Sequence, residues 1–362
     1  MIYAGICFYI GMRLYGFLRY FLPKMKAYRF WIPFAFLCCA FIAVNFIRHN
    51  IIFFQQASFV WMVILLYLML PLAFFDFIKL FLPKRKINKY RFYTTGASVV
   101  LCAMLVTGGA VNAHTVRTVN YNLTLPGSGD DIRITLISDL HIGRSIGASF
   151  IEKIADAVNR SEPDLVCIAG DIFDGNLDII RGLPDVIAQL RRINAPLGVY
   201  AVLGNHDVDR ARGGAERINE MIRAADITLL QDDVYKIRDN LYLAGRKDVR
   251  PIGMSGERKT PQELCGGLEG TVIMMDHQPV QYPLIEQAGV DLVFSGHTHS
   301  GQVFPGNLIT RIIFTMAGAT NYGYWRGETM QAVVTSGAGY WGPPIRIASK
   351  SEIAVINISF ML

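Results

Sequence analysis

Acidic residues are almost absent from the first 113 positions of this 362-residue chain. Of 29 Asp and Glu residues only Asp76 lies there, against 12 of the 35 Lys and Arg residues. The whole chain is 52% hydrophobic and 18% charged, with a mean hydropathy of +0.32, which is too apolar for one soluble domain. Part of the chain therefore belongs in lipid. Its basic residues lie between apolar stretches, which argues against a nucleic-acid-binding surface.

Cysteine is also scarce, and its distribution excludes a disulfide framework. Of the six cysteines, four lie in the apolar stretches and Cys167 ends a buried strand pattern, which leaves only Cys265 free to react. We find neither an internal repeat nor a low-complexity tract.

Four stretches are long enough to cross about 30 Å of hydrocarbon, which takes roughly 20 residues. Residues 30–47, 57–75 and 92–113 carry no charge, whereas residues 1–22 contain Arg13 and Arg19. That first stretch fits a spanning helix, an interfacial helix or an uncleaved export signal. We predict a bundle of about four transmembrane helices.

The orientation of this bundle follows from its basic loops. Lys24, Lys26 and Arg29 separate the first two stretches, and Arg48 alone separates the second from the third. Six basic residues separate the third and fourth: Lys79, Lys84, Arg85, Lys86, Lys89 and Arg91. Because basic loops stay in the cytoplasm, we expect everything after residue 113 to emerge on the opposite side.

The remainder has a different pattern. Residues 114–131 are expected to be a connector, and five short apolar runs follow at 132–137, 165–169, 199–203, 272–275 and 292–294. The first three lie about 30 residues apart, as in βαβ units. Each run ends in polar residues, and ligands of such sheets bind beyond the carboxyl ends of the strands.

Histidine is concentrated at these strand ends. The chain has only seven, and five follow the apolar runs: His141, His206, His277, His297 and His299. A single Asp or His there is commonly a cap or a surface residue, but this joint occurrence favours a metal site. Nitrogen and oxygen donors without thiolate suit Mn, Fe or Zn.

These residues resemble the calcineurin-like metallophosphoesterases, whose motif blocks are D-x-H, G-D-x-x-D, G-N-H-[DE], H and G-H-x-H. All five occur in order, at 139–141, 170–174, 204–207, 277 and 296–299. The last block continues G-H-T-H-S-G-Q, which is similar to the bacterial membrane-associated branch. The resemblance covers 132–362 and implies an α/β fold, a four-layer α/β/β/α sandwich, here preceded by the all-α bundle of residues 1–113.

The resemblance also implies two divalent metal ions. One would be held by Asp139, His141 and His299. The other would be held by Asn205, His277 and His297, with Asp171 bridging the two. A hydroxide shared by the ions would attack phosphorus.

Two neighbouring residues are candidate catalytic groups. His206 resembles the family's proton donor to the leaving oxygen, and Asp207 would fix its tautomer or raise its pKa. The alternative is a capping Asp beside a packed His. Asp174 is expected to support the site or form a turn.

Two Gly-rich loops follow the motif, at 321–327 and 337–346. They contain a mixture of aromatic and Arg side chains: Tyr322, Tyr324, Trp325, Arg326, Tyr340, Trp341 and Arg346. Such a mixture suits a phosphate with an apolar or ring-bearing substituent, a rim at the bilayer surface, or a loop core. The apolar runs 332–335 and 353–358 are expected in the second sheet.

Together these features predict a membrane-anchored phosphoesterase in a bacterial inner membrane, with its catalytic domain on the periplasmic side. Its expected substrates are phosphate esters or phosphoanhydrides, phosphodiesters included, that are lipid-linked or near the membrane; nucleic acid is not an expected partner. The alternatives are a cytoplasm-facing pyrophosphatase of a nucleotide-linked lipid precursor and a non-catalytic metal-dependent sensor or scaffold.

Overall fold

The computed structural model describes residues 1–44, 52–81, 87–207, 214–249 and 258–361. These residues divide into two compact units. The first comprises Met1–Val111 with Gly342–Ile345, and the second comprises Asn112–Trp341 with Arg346–Leu362.

The first unit is helical. Its helices are α1 (Ile2–Phe21), α2 (Ala27–Ala43), α3 (Ile52–Lys79) and α4 (Ile87–Ala113). By length and composition, two described segments could cross a membrane, Phe54–Lys79 and Ile87–Ala113, while Ala27–Ala43 is a shorter apolar helix. Of the four stretches predicted to span the membrane, those at 57–75 and 92–113 meet this test of length and composition. Residues 45–47 of the second stretch and the basic residues Arg48, Lys84, Arg85 and Lys86 lie outside the described part of the chain.

Arg13, the charge that made the first stretch ambiguous, is buried among these helices. Its Nη1 lies 2.6 Å from Oδ1 of Asp76, the one acidic residue of the first 113 positions. Its Nε and Nη2 donate to the hydroxyls of Thr95 and Thr94 over 3.2 and 3.0 Å. Arg13 therefore lies inside the helical unit, where its charge is tolerated because it is paired with Asp76.

The second unit contains two six-stranded sheets. The first has the order β1-β12-β2-β3-β4-β5, with β1 (Val116–Pro126), β2 (Ile132–Ile137), β3 (Leu165–Ala169), β4 (Val199–Val202), β5 (Thr228–Leu229) and β12 (Ser351–Met361). The second has the order β10-β11-β9-β8-β7-β6, with β6 (Asp233–Arg238), β7 (Leu241–Gly245), β8 (Thr271–Met275), β9 (Leu292–Ser295), β10 (Gly323–Arg326) and β11 (Gln331–Val334). Strands β2 to β5 run parallel, as do β7, β8, β9 and β11.

This unit contains three hydrophobic cores, one between the two sheets and one between each sheet and its helices. The central core lies between the sheets and includes Leu136 of β2 and Phe294 of β9. The outer face of the first sheet packs against α5 (Ala148–Arg160), α6 (Leu183–Arg191) and α7 (Gly214–Ala224). The outer face of the second packs against α8 (Pro261–Cys265) and α9 (Tyr282–Gln287), and α10 (Gly306–Met316) is the last helix. The predicted mixed α/β sheets are therefore present.

The first sheet has two edge features that the sequence patterns did not predict. Residues 116–126 of the expected connector form β1, which pairs in parallel with β12. This segment forms a strand because buried and exposed side chains alternate along it: Leu123 and Leu125 are buried, while Thr124 is exposed. Strand β12, whose apolar part was expected in the second sheet, instead pairs antiparallel with β2 in the first.

Candidate metal centre

The carboxyl ends of five strands deliver the predicted metal-binding side chains. Asp139 and His141 follow β2, Asp171 follows β3, and Asn205 and His206 follow β4. In the other sheet, His277 follows β8, and His297 and His299 follow β9. Because each set of strands is parallel within its own sheet, these ends lie at one edge and bring the side chains together.

One group of donors comprises Asp139, His141 and His299. Their candidate ligand atoms all lie within 4.8 Å of one another. The two Nε2 atoms of His141 and His299 are 3.0 Å apart, and Nε2 of His299 lies 3.4 Å from Oδ1 of Asp139. All three residues are buried or nearly so. This is the group assigned above to one metal ion.

A second group comprises Asp171, His277 and His297, again with donors within 4.8 Å. Nε2 of His277 lies 3.2 Å from Oδ2 of Asp171, and the same oxygen lies 3.7 Å from Nε2 of His141 in the first group. Asp171 therefore lies between the two groups. Asn205 follows β4 at the same edge, and its Oδ1 is buried with no hydrogen-bond partner among the described residues.

His277 is oriented to offer a lone pair to a cation. Its Nδ1 lies 2.7 Å from the carbonyl oxygen of Ala169. A carbonyl can only accept, so Nδ1 carries the hydrogen and Nε2 points its lone pair at Asp171. Within the described chain, Nε2 of His277 is also buried without a hydrogen-bond partner. Together with the orphaned Asn205 oxygen, this arrangement fits a divalent metal ion.

The charges around Asp171 favour the same conclusion. Burial alone would raise the pKa of Asp171, but the neighbouring His277 and His141 hold it below its ordinary value. Burial would lower the pKa of His277, yet the charge of Asp171 raises it well above its ordinary value. The Asp171 carboxylate therefore favours positive charge beside it, and a divalent metal ion would supply that charge.

His206 is held by two carboxylates, neither of which is Asp207. Its backbone N–H donates to Oδ1 of Asp171 over 2.7 Å, and its Nδ1 lies 3.0 Å from Oδ1 of Asp174. Burial lowers the pKa of His206, but the hydrogen bond with Asp174 and the nearby acids outweigh burial and raise it. His141, Asp174 and His206 also form a third group of close donors.

The Asp207 carboxylate contacts backbone N–H groups, while its charge is one of those that raise the pKa of His206. Its Oδ1 accepts the N–H of Phe173 over 2.7 Å and its Oδ2 accepts the N–H of Gly204 over 2.8 Å. Burial and the charge of Asp171 raise the pKa of Asp207 to about 7, against the backbone N–H bonds that lower it. Asp207 therefore ties the loop after β4 to the loop after β3.

The backbone at these strand ends is unusual. Five candidate ligands adopt left-handed φ angles: Asp139 (52°), His141 (47°), Asp171 (52°), His297 (69°) and His299 (50°). Such angles are uncommon for residues with a Cβ and concentrate at functional sites. Gly170 has a φ of 85°, and a Cβ there would lie 2.6 Å from Nδ1 of His277. The glycine before Asp171 thus leaves room for the imidazole.

The aromatic and arginine loops are only partly at the site. Arg346 is buried, and its Nη2 donates to the carbonyls of Gly339 and Ser336 over 2.6 and 2.7 Å and lies 3.2 Å from Nδ1 of His299. Tyr340 is buried too. These two side chains therefore pack inside the loop, as in the loop-core alternative named above. By contrast, the Trp341 ring is exposed and lies 5.6 Å from the ring of His206.

A buried ion cluster behind His277 had no recognised sequence signal. Oδ2 of Asp276, the residue before His277, accepts Nη1 of Arg246 over 2.9 Å and also contacts Arg258. The segment 250–257 between the two arginines lies outside the described chain. The sequence offered one signal, an acidic residue directly before a predicted metal ligand. Its partners Arg246 and Arg258 lie 30 and 18 positions earlier in the chain, and no motif connects them to Asp276.

The two sheets bring adjoining groups of candidate metal ligands to one edge of the domain. The model of the family described as calcineurin-like phosphoesterase matches residues 132–301. An uncharacterized metallophosphoesterase of Aquifex aeolicus is 31% identical over 259 residues, which cover 68% of this chain and 91% of that protein. The chain therefore belongs to the calcineurin-like phosphoesterase family.

Two further relatives extend the likeness beyond the family segment. A transmembrane protein with metallophosphoesterase domain from Danio rerio is 32% identical over 73% of this chain, and the match spans 62% of that protein. An uncharacterized metallophosphoesterase of Helicobacter pylori is 29% identical over 77% of this chain and 73% of its own length. The chain thus covers less than two thirds of the fish protein.

Proposed function

We propose that this chain is a membrane-anchored two-metal phosphoesterase that hydrolyses phosphate ester or phosphoanhydride bonds of a lipid or membrane-associated substrate. The observation that carries the proposal is the position of Asp171, whose Oδ2 lies 3.7 Å from His141 and 3.2 Å from His277, in different donor groups. A carboxylate there can serve two ions at once.

In this proposal each residue has a defined part. Asp139, His141 and His299 would hold one ion, Asn205, His277 and His297 would hold the other, and Asp171 would contribute to both. When bound, two divalent ions (Mn, Fe or Zn) supply the charge that activates water and stabilises the phosphoryl transition state. Asn205 contributes a neutral carbonyl, which limits the negative charge beside a phosphate. His206, oriented through Nδ1 by Asp174, keeps its other ring nitrogen for protonating the leaving oxygen.

Several features support a membrane anchor. Segments Phe54–Lys79 and Ile87–Ala113 are long and apolar enough to span, and the Danio rerio relative is named a transmembrane protein. We propose that the anchor, residues 1–113, crosses a bacterial inner membrane several times, about four if α1 and α2 also span. The metallophosphoesterase domain, residues 132–362, would then lie on the periplasmic side, and the basic loops support this orientation.

A substrate panel tests the proposal. Detergent-purified full-length protein, stripped with chelator and reloaded with Mn, Fe or Zn, should be assayed on a lipid phosphomonoester, a phosphodiester, a nucleotide-linked pyrophosphate and an aryl phosphate. We expect metal-dependent hydrolysis, measured by the appearance of each substrate's own products, that is greatest on a lipid-linked substrate and is lost in Asp139→Asn. Asp239→Asn, at a side chain 94% exposed, is the matched control and should be fully active. Turnover that survives chelation or Asp139→Asn would contradict the proposal, and a strict preference for the nucleotide-linked pyrophosphate would favour the cytoplasm-facing alternative over it.

A further inference from the structure

Helix α10 exposes a stripe of large apolar side chains. Five residues of this helix are each at least 47% exposed: Leu308, Ile309, Ile312, Ile313 and Met316. At 3.6 residues per turn they fall on one face, since their spacing is i, i+1, i+4, i+5 and i+8. Contiguous exposed apolar surface of this kind marks an interaction site.

The opposite face of α10 is fixed to the domain. Phe314 packs against the core on the outer side of the second sheet. The Thr310 hydroxyl accepts Nδ2 of Asn321 over 3.0 Å and is bonded to the carbonyl of Gly306 over 3.0 Å. Because the opposite face of α10 contacts the domain, the apolar stripe faces away from it.

The stripe lies close in the chain to the metal centre. His299 begins a 3-10 turn that ends at Gly301, and a Cβ on Gly301 would meet the backbone of Asn307 at the start of α10. Gln302, between the turn and the helix, donates to the carbonyl of Trp341 over 2.8 Å and accepts its N–H over 3.0 Å. The exposed Trp341 is thereby linked to the same loop.

The charge of this region suits a lipid surface. Residues 297–327 contain no Asp or Glu, and their only basic residues are Arg311 and Arg326. Arg311 is exposed on α10. The apolar face of α10, its one exposed cation and the lack of acids in this segment suit the lipid–water interface, where apolar side chains insert below the headgroups. Helix α4, a candidate span, ends at Ala113, and β1 begins at Val116, so no long linker separates the domain from its anchor.

We propose that the α10 stripe inserts into the headgroup region of the bilayer that anchors the chain, so that the metal centre meets phosphates at the lipid surface. The occupant is the bilayer itself, and neither a second copy nor a protein partner is needed. The inference rests on the proposed function for its substrate, but the docking can be tested without catalysis.

A fluorescence experiment tests the docking alone. An environment-sensitive probe is attached at Ile312→Cys in full-length protein carrying Cys39→Ser. Cys39 is the exposed cysteine of the described chain, whereas Cys265, which the sequence led us to expect as the reactive one, is buried. The protein is reconstituted in phosphatidylcholine vesicles containing phosphatidylglycerol. We expect a blue shift and quenching by spin-labelled lipid at position 312. Ala188→Cys, exposed on α6 in the helical layer of the other sheet, should show neither.

Three results would overturn the docking. One is a probe at 312 that stays as unquenched as the probe at 188. Another is a signal that rises with protein density at constant lipid, which would identify a second copy as the occupant. The third is a signal that appears only when other proteins are added.

A kinetic experiment links docking to substrate. The double variant Ile309→Asp/Ile312→Asp should lose about tenfold or more in turnover of a phospholipid phosphate in vesicles, while its turnover of a soluble aryl phosphate stays unchanged. Ala188→Asp should change neither. Equal losses on both substrates, or no loss on either, would overturn the inference. If the wild type were inactive on every substrate, the proposed function would fail while the fluorescence result still decided the docking.

Discussion

Nδ1 of His206 lies 3.0 Å from Oδ1 of Asp174, whereas the adjacent Asp207 gives both carboxylate oxygens to backbone N–H groups. The two acids therefore act differently. Asp174 is placed to set which nitrogen of His206 carries a proton, and Asp207 is placed to hold the loop. This division of roles leads to separate predictions for three neighbouring side chains.

His206→Ala should keep its metals but lose activity according to the leaving group. We expect a loss of roughly 10²- to 10⁴-fold on alkyl phosphates, whose leaving oxygen needs a proton, and a much smaller loss on activated aryl phosphates. Steady-state rates on both substrate types, with metal content measured in parallel, check this. Equal losses on both would remove His206 from the proton-donor role.

Asp174→Asn should have a weaker form of the same phenotype. An amide can still hydrogen-bond Nδ1 of His206 but lacks the charge that favours the protonated ring, so kcat on alkyl phosphates should fall by about tenfold or more. Both metals should remain bound. Loss of metal in Asp174→Asn would instead make Asp174 a ligand, in agreement with its place in the third donor group.

Asp207→Ala should act on stability first. It removes the acceptors of two backbone N–H groups, those of Phe173 and Gly204, and each unsatisfied buried donor costs about 1–3 kcal/mol. Thermal unfolding of the full-length protein in detergent should shift to lower temperature, and Asp239→Ala is the control. Unchanged stability, with an altered leaving-group dependence, would restore the direct link between Asp207 and His206.

Strand ends were predictable because two local signals coincided there. The apolar runs 132–137 and 165–169 became β2 and β3 with the same bounds, and each was followed by its motif block. A buried parallel strand is a continuous apolar run, so the polar residue that follows it lies at the carboxyl edge of the sheet. The groups of metal-binding side chains could therefore be predicted from this single sequence.

Other features depended on distant partners. Strand β1 pairs with β12, for example Leu123 with Ile358, and nothing local identifies that partner. Arg346 resembled a phosphate ligand because its loop is rich in Gly and aromatics, yet backbone carbonyls surround it. The outcome for such residues is decided by packing, which a motif does not encode.

The side of the membrane on which the reaction occurs is a separate prediction. If the basic loops stay cytoplasmic, a fluorescent protein that matures only in the cytoplasm should be dark when fused after Leu362. An export-dependent phosphatase fused at the same place should be active. The reverse pair of results would place the domain in the cytoplasm and favour a pyrophosphatase of nucleotide-linked lipid precursors.

Metal stoichiometry tests the central claim most directly. The account predicts that full-length protein reconstituted with Mn, Fe or Zn binds about two ions per chain, measured by elemental analysis after removal of free metal. Asp171→Asn should lose most of the metal from both positions together with activity, because the oxygen between His141 and His277 serves both. Asp239→Asn should match the wild type. A single ion in the wild type, or an Asp171→Asn variant with both ions and normal turnover, would contradict the two-metal site.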